Sequence, residues 1–170
     1  MEKKSYTTVV PFPSLVELKP IGRVHSPYKE RHGTPRQASV INEGGVQRGT
    51  IEIFSDFVPP RALRDLEGFE YLWVIAWFHL NKNWNPMVAP PRGKGKKRGV
   101  LATRAPHRPN SIGLSAVRLI EIKGNIIEIE ALDLLDGTPV LDIKPYIPYA
   151  DAFPDASAGW VDALSKTEPS

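Results

Sequence analysis

Apolar and polar positions alternate over several short runs of this chain, with the two-residue period of a β-strand. "VELKPIGRVHS" (16–26) alternates loosely, and Pro20 marks a strand start or an edge. "QRGTIEIFSDF" (47–57) predicts a short strand. "YLWVIAWFHL" (71–80) is almost wholly apolar, which predicts a central strand buried on both faces, with Trp73 and Trp77 sharing one face in the core. "VLATRA" (100–105) resumes a strand, and the run from Leu114 to Ile147 predicts a hairpin about Gly124-Asn125 followed by a further strand. Helical periodicity is scarce. "VPPRALRDLEGFE" (58–70) reads as one helix of two to three turns, with prolines at its start, Leu63 and Leu66 on one face, and Gly68 as the stop. "PYADAFPDASAGWVDAL" (148–164) is irregular, with one helical turn at its end. The pattern predicts a mostly β fold, a single-sheet β-barrel-like domain with short helical insertions. Residues 1–15 read as a flexible N-terminal leader and 16–165 as the folded domain.

Composition narrows the picture. The chain has 170 residues, enough for one domain with its own core, and it has no cysteine, which excludes disulfides, thiolate nucleophiles and cysteine–zinc sites. The longest apolar run, 71–78, is too short to cross a bilayer, and the N-terminus lacks a signal-peptide apolar region. A cytoplasmic protein without a membrane partner is expected. The net charge of +3 hides an asymmetry: residues 71–120 hold nine cations and no Asp or Glu, so the remaining residues carry 13 basic against 19 acidic groups. Such a local excess suits a polyanion, although a solvated basic loop has the same composition.

Most catalytic constellations are missing. The four histidines, His25, His32, His79 and His107, have no metal-ligand spacing, so no metal is expected. No GxSxG elbow, Walker loop or GxGxxG fingerprint is present. Two polar segments remain. In "RAPHRPNSIG" (104–113), Pro106 and Pro109 stiffen the backbone, Asn110 tolerates a turn, and Gly113 permits close approach or positive φ. A stiff loop of this kind holds Arg104 and Arg108 toward an anion or nucleotide at low entropic cost. In "LDLLDGTPVLDIKPY" (132–146), Asp133, Asp136 and Asp142 lie near Lys144. One of these carboxylates can bind a ligand amine or ribose, or take a proton. Alternatively Asp136-Gly137 is an ordinary turn and Asp142 pairs with Lys144. Trp84, inside the basic loop "NKNWNPMVAPPRGKGKKRG" (81–99), is the best candidate for an aromatic contacting a base.

Four segments in order, "IGRVHSPYKERHGTPRQ", "LEGFEYLWVIAWFH", "RGVLATRAPHRPNSIGLSAVRL" and "LDLLDGTPVLDIKPYIPYADA", resemble the successive motifs of the TsaA-like (VirR/YaeB-type, TrmO) family over roughly residues 19–162. The resemblance implies a β-barrel-like, S-adenosylmethionine-dependent methyltransferase that modifies N6 of threonylcarbamoyladenosine at position 37 of tRNA. It also implies a homodimer with the cofactor near the subunit interface. Carried over by motif, Pro35, Arg36 and Gln37, then His79 and Leu80, then Arg104 and Leu114, then Asp133, Leu134, Leu135 and Asp136 would hold the cofactor. Asp136 is the candidate base. Arg92, Lys94, Lys96, Lys97, Arg98 and Arg108 would grip phosphates of the tRNA anticodon arm. Ala105 and Ser111 depart from the family's usual Ser and Pro, and the C-terminal domain of bacterial members is not expected here. A non-enzymatic RNA-binding barrel, or a methyltransferase of this fold acting on another RNA or a small molecule, are the alternatives.

Overall fold

The computed structural model describes residues 12–30 and 47–165. Among these, eight strands run in the order β1 (Gly22–His25), β2 (Arg48–Ile53), β3 (Tyr71–Trp77), β4 (Met87–Val88), β5 (Arg98–Gly99), β6 (Ile112–Lys123), β7 (Ile126–Glu130) and β8 (Pro139–Pro145). Six of them close an antiparallel barrel in the order β1-β2-β7-β6-β3-β8, and β4 pairs with β5 in a small separate sheet. The two-residue alternation is what fills the barrel. Val24, Ile51, Ile53, Leu72, Val74, Ala76, Val117, Ile127, Ile129 and Val140 all point inward and are fully buried. Closure leaves no sheet edge unpaired, so this small wall needs no second layer.

Antiparallel pairing sends successive connections to opposite ends of the barrel. At the foot, Lys123 pairs with Ile126 across the expected Gly124-Asn125 turn, where Gly124 takes φ 62°. Asn125 then ties this turn to the end of β2, its carbonyl accepting from Ile53 N (2.8 Å) and its Nδ2 donating to Ile53 O (2.9 Å). Residues 54–70 plug the same end with Leu63, Leu66 and Val58. This segment departs from the helix expected over 58–70. It forms two short 3-10 turns, Pro60–Leu63 and Leu66–Gly68, separated by Asp65 in the left-handed region at φ 67°. A stretch this short gains little from propagating a helix, and burying both leucines over the barrel end decides its path.

Three other expectations change. Strand β1 begins only at Gly22, while Val16 and Leu18 stay exposed in an extended segment. "VLATRA" forms a 3-10 turn at Val100–Ala102 in place of a strand. β3 is buried on one face only: Leu72, Val74 and Ala76 point inward, while Tyr71 and Trp77 are 39% and 45% exposed. Trp73 lies on the same outer wall, its indole donating to Asp151 Oδ2 (3.0 Å) in α1 (Pro148–Asp151). The outward positions of this strand are aromatic or aliphatic, so its sequence does not alternate even though its burial does.

Candidate active site

The other barrel end, the mouth, receives the ends of β1, β3 and β7 and the starts of β2, β6 and β8. Its described loops are therefore the residues after His25, the excursion 78–111 and the connection 131–138. Three of the four segments singled out in the sequence meet here. The first, Pro35, Arg36 and Gln37, lies outside the described residues, between β1 and β2.

The excursion leaves at Trp77 and returns at its register partner Ile112. Its two ends are stitched together: Phe78 N donates to Ser111 O (2.9 Å), Asn81 Nδ2 to Pro106 O (2.9 Å), and His107 Nδ1 to Asn83 O (3.1 Å). A carbonyl only accepts, so the last bond puts the ring proton on Nδ1. His79 and Leu80 are thereby held against the loop that carries Arg104, and Leu114 lies near the start of β6, paired with Ile75. Leu80 is 66% exposed, Leu114 57% and Ile112 43%; with Trp77 they make an apolar rim. Arg104 is also exposed. The glycine of this loop serves close approach, because a Cβ on Gly113 would lie within 2.9 Å of both Cε atoms of Phe78. Positive φ falls instead on Ser111 (42°), whose N–H and hydroxyl both donate to Arg108 O.

Arg108, expected to grip phosphates, is bonded within its own loop. Its Nη1 donates to the carbonyls of Thr103 (2.7 Å), Val100 (3.2 Å) and Ala105 (3.4 Å), and the side chain is half-buried. It braces the turn that presents Arg104.

On the opposite side of the mouth, residues 131–138 are sewn to the end of β1. Ser26 Oγ donates to Leu134 O (2.9 Å), Asp136 N to Tyr28 O (2.8 Å) and Gly137 N to Val24 O (2.8 Å). Leu134 points into the core and is 1% exposed, so only its backbone is available to a ligand; Leu135 is half-buried. Asp133 Oδ1 accepts from Ser115 Oγ (2.6 Å), which links this segment to β6 next to Leu114. Asp136 accepts from Lys29 Nζ (2.6 Å) and Ser26 N (3.0 Å). The Lys29 hydrogen bond, helped by the Ser26 N–H, holds its carboxyl below the usual carboxylate range. Both oxygens are engaged, and an acid stabilised as its anion is a weaker proton acceptor than a free carboxylate. On β8, Asp142 pairs with Lys144 (2.7 Å), the plainer of the two sequence readings.

Sequence reasoning passed over Tyr28, Lys29, Ser26 and Ser115. Burial, with the Asp133 charge adding to it, raises the Tyr28 hydroxyl, which therefore stays a hydrogen-bond donor at the mouth. Tyr28 and Lys29 stand inside the first motif, but nothing in a local pattern says that they meet a segment over a hundred residues away.

The hairpin β4–β5 carries Arg92, Lys94, Lys96 and Lys97 exposed to solvent. Arg98 differs, being half-buried with its guanidinium 5.2 Å from the Trp160 ring centroid. Trp84 is 47% exposed near the same loop. Among the described residues no cluster of His and carboxylates can hold a metal, and no helix is long and apolar enough to cross a membrane. An apolar depression of about 330 Å³, lined by Tyr71, Trp73, Ala116 and Tyr146, lies on the outer wall and takes no part in the mouth.

Residues 23–152 match the family model described as the tRNA-methyltransferase O N-terminal domain. The chain is 44% identical over 150 residues to a probable S-adenosyl-L-methionine-binding protein of Pyrococcus abyssi, covering 88% of this chain and 78% of that one. It is 40% identical over 162 residues to the tRNA (adenine(37)-N6)-methyltransferase of Escherichia coli, covering 91% and 68%. The crystal structure of TrmO from Pseudomonas aeruginosa superposes with a TM-score of 0.72 at 40% identity, covering 87% of this chain. This chain spans 63% of the length of that solved chain.

Proposed function

Since the chain belongs to the tRNA-methyltransferase O N-terminal domain family, we propose that it transfers a methyl group from S-adenosylmethionine to N6 of the adenosine at position 37 of tRNA. The acceptor is N6 of threonylcarbamoyladenosine. The observation that carries this reading is the meeting of the His79–Leu80, Arg104–Leu114 and Asp133–Asp136 segments at one barrel mouth.

The groups at that mouth fit the cofactor. Exposed Arg104 suits a carboxylate, the carboxylate of Asp133 suits an amine or ribose hydroxyls, and the rim of Leu80 and Leu114 suits the apolar faces of an adenine. Held by these residues, S-adenosylmethionine would supply an electrophilic methyl group and depart as S-adenosylhomocysteine, and the proton of the acceptor nitrogen would pass to water. The protein's own work is alignment: Arg108 and Asn81 fix the loop that carries Arg104, and Ser115 fixes Asp133. Asp136, already satisfied by Lys29, ties the 131–138 turn to β1 and holds no proton at neutral pH. Arg92, Lys94, Lys96 and Lys97 face solvent on one hairpin beside the mouth, where they suit the phosphates of an anticodon arm. A second copy of the chain covers the apolar rim, so that the cofactor lies near a subunit interface.

Incubation of the protein with S-adenosylmethionine and tRNA carrying threonylcarbamoyladenosine, followed by nucleoside mass spectrometry, tests the proposal. The modified nucleoside gains one methyl group, and the yield falls as salt rises. A folded, cofactor-binding protein that leaves this nucleoside unchanged would falsify the assignment of substrate.

A further inference from the structure

The chain beyond the barrel returns to the mouth. It leaves at the foot, where Tyr146 N donates to Tyr71 O (3.0 Å), and climbs the outer wall, where Asp151 Oδ2 accepts from Trp73 Nε1 and from Ile147 N (2.8 Å). It then turns sharply at Gly159 (φ 61°), a turn fixed by Asp162, whose Oδ2 accepts from Ala158 N (2.8 Å) and Ser157 Oγ (3.2 Å). This turn delivers Trp160 to the excursion. Its Nε1 donates to Ala102 O (2.8 Å), and the Arg98 guanidinium lies over its ring.

Both contacts flank the turn that presents Arg104. Thr103 N and Oγ1 donate to Val100 O, Ala105 N donates to Thr103 Oγ1, and Arg108 Nη1 gathers the carbonyls of 100, 103 and 105. Arg108 leaves Ala102 O to the indole. The turn is therefore braced by Arg108 and, through Ala102, by the C-terminal segment.

We infer that Trp160 is a positioning residue for Arg104, and that the C-terminal segment is a strap which sets the cofactor-binding form of the 98–108 loop. The inference rests on the proposed cofactor reading, because the benefit of a fixed Arg104 is a tighter cofactor complex. Trp160 touches no reacting group, so its loss raises KM for S-adenosylmethionine and leaves kcat at saturating cofactor nearly unchanged.

The test compares W160A and W160F with the unmodified chain by calorimetric titration of S-adenosylmethionine, by steady-state kinetics, and by timed trypsin cleavage after Arg104. W160A loses the indole N–H and the ring under Arg98, and weakens cofactor binding by about tenfold. W160F keeps a ring and loses only the N–H, and the loss is about threefold. Cleavage after Arg104 is faster in both variants while melting temperature is retained. The inference is overturned if W160F binds cofactor and resists trypsin as the unmodified chain does, an outcome that remains decisive even if W160A does not fold. If the unmodified chain binds no S-adenosylmethionine, the functional reading fails and the protease comparison alone decides the strap.

Discussion

At neutral pH the carboxylate of Asp136 is held by Lys29 and by the Ser26 N–H, and its acidity follows from those two contacts. Its carboxyl is depressed in the fold, so the stability it contributes is complete above the unfolded value of about 3.9 and is lost as pH falls through the folded value. D136N removes the charge and keeps an oxygen for Ser26 N. The variant is expected to lose about 1 kcal/mol at pH 7 in urea unfolding, and the difference from the unmodified chain is expected to shrink in acid. The same variant speaks to mechanism. A general base is worth about 10²- to 10⁴-fold in rate, so D136N with kcat within about tenfold of the unmodified chain fits a structural carboxylate. A loss of about two or more orders of magnitude would favour Asp136 as the base. The motif reading located this residue, but its role depends on Lys29, and no sequence interval of 107 residues announces that contact.

Whole elements were legible where one face decides them. β2 and β7 alternate in sequence as they do in burial, and Gly124-Asn125 marks its own turn. β3 was legible as a strand but not in its sidedness, because Tyr71, Trp73, Ile75 and Trp77 are as apolar as the residues that point inward. Of the excursion 78–111, the loop 81–99 and the stiff 104–113 segment were legible, whereas the strand expected at 100–105 is a 3-10 turn. The shape of the excursion comes from side chains bonding distant carbonyls, such as Arg108 to Val100 and Asn81 to Pro106, and such bonds leave no period. Gly113 shows how the elements then lock together, since it faces the Phe78 ring where the excursion begins and β6 starts. A methyl group there must push the ring away from the core. G113A is expected to cost about 1–3 kcal/mol, seen as a lower melting temperature. Because Phe78 precedes His79, the variant also weakens cofactor binding. Unchanged melting together with unchanged affinity would mean that the ring has room to move.

For the molecule as a whole, a barrel plugged at the foot and furnished at the mouth leaves one question, which is what covers the apolar rim. Trp77, Leu80, Ile112 and Leu114 are each between 43% and 66% exposed and adjoin the candidate cofactor residues. Four large apolar side chains grouped in this way on an exposed surface mark an interaction site more often than chance exposure. A second copy of this chain is the proposed occupant. Ile112 tests this at little risk to the fold, because it points outward opposite Trp77 while the neighbouring Ala76 and Gly113 face the core. A glutamate at this position would be buried without a partner in a dimer and solvated in a monomer. I112E is therefore expected to raise the dimer dissociation constant more than tenfold in sedimentation equilibrium, with melting of the monomer little changed. Cofactor affinity should fall in step with dimer content and recover at high protein concentration. If the unmodified chain sediments as a monomer at high micromolar concentration, or if I112E binds cofactor normally as a monomer, the rim serves the tRNA or another partner and the mouth is complete in one subunit.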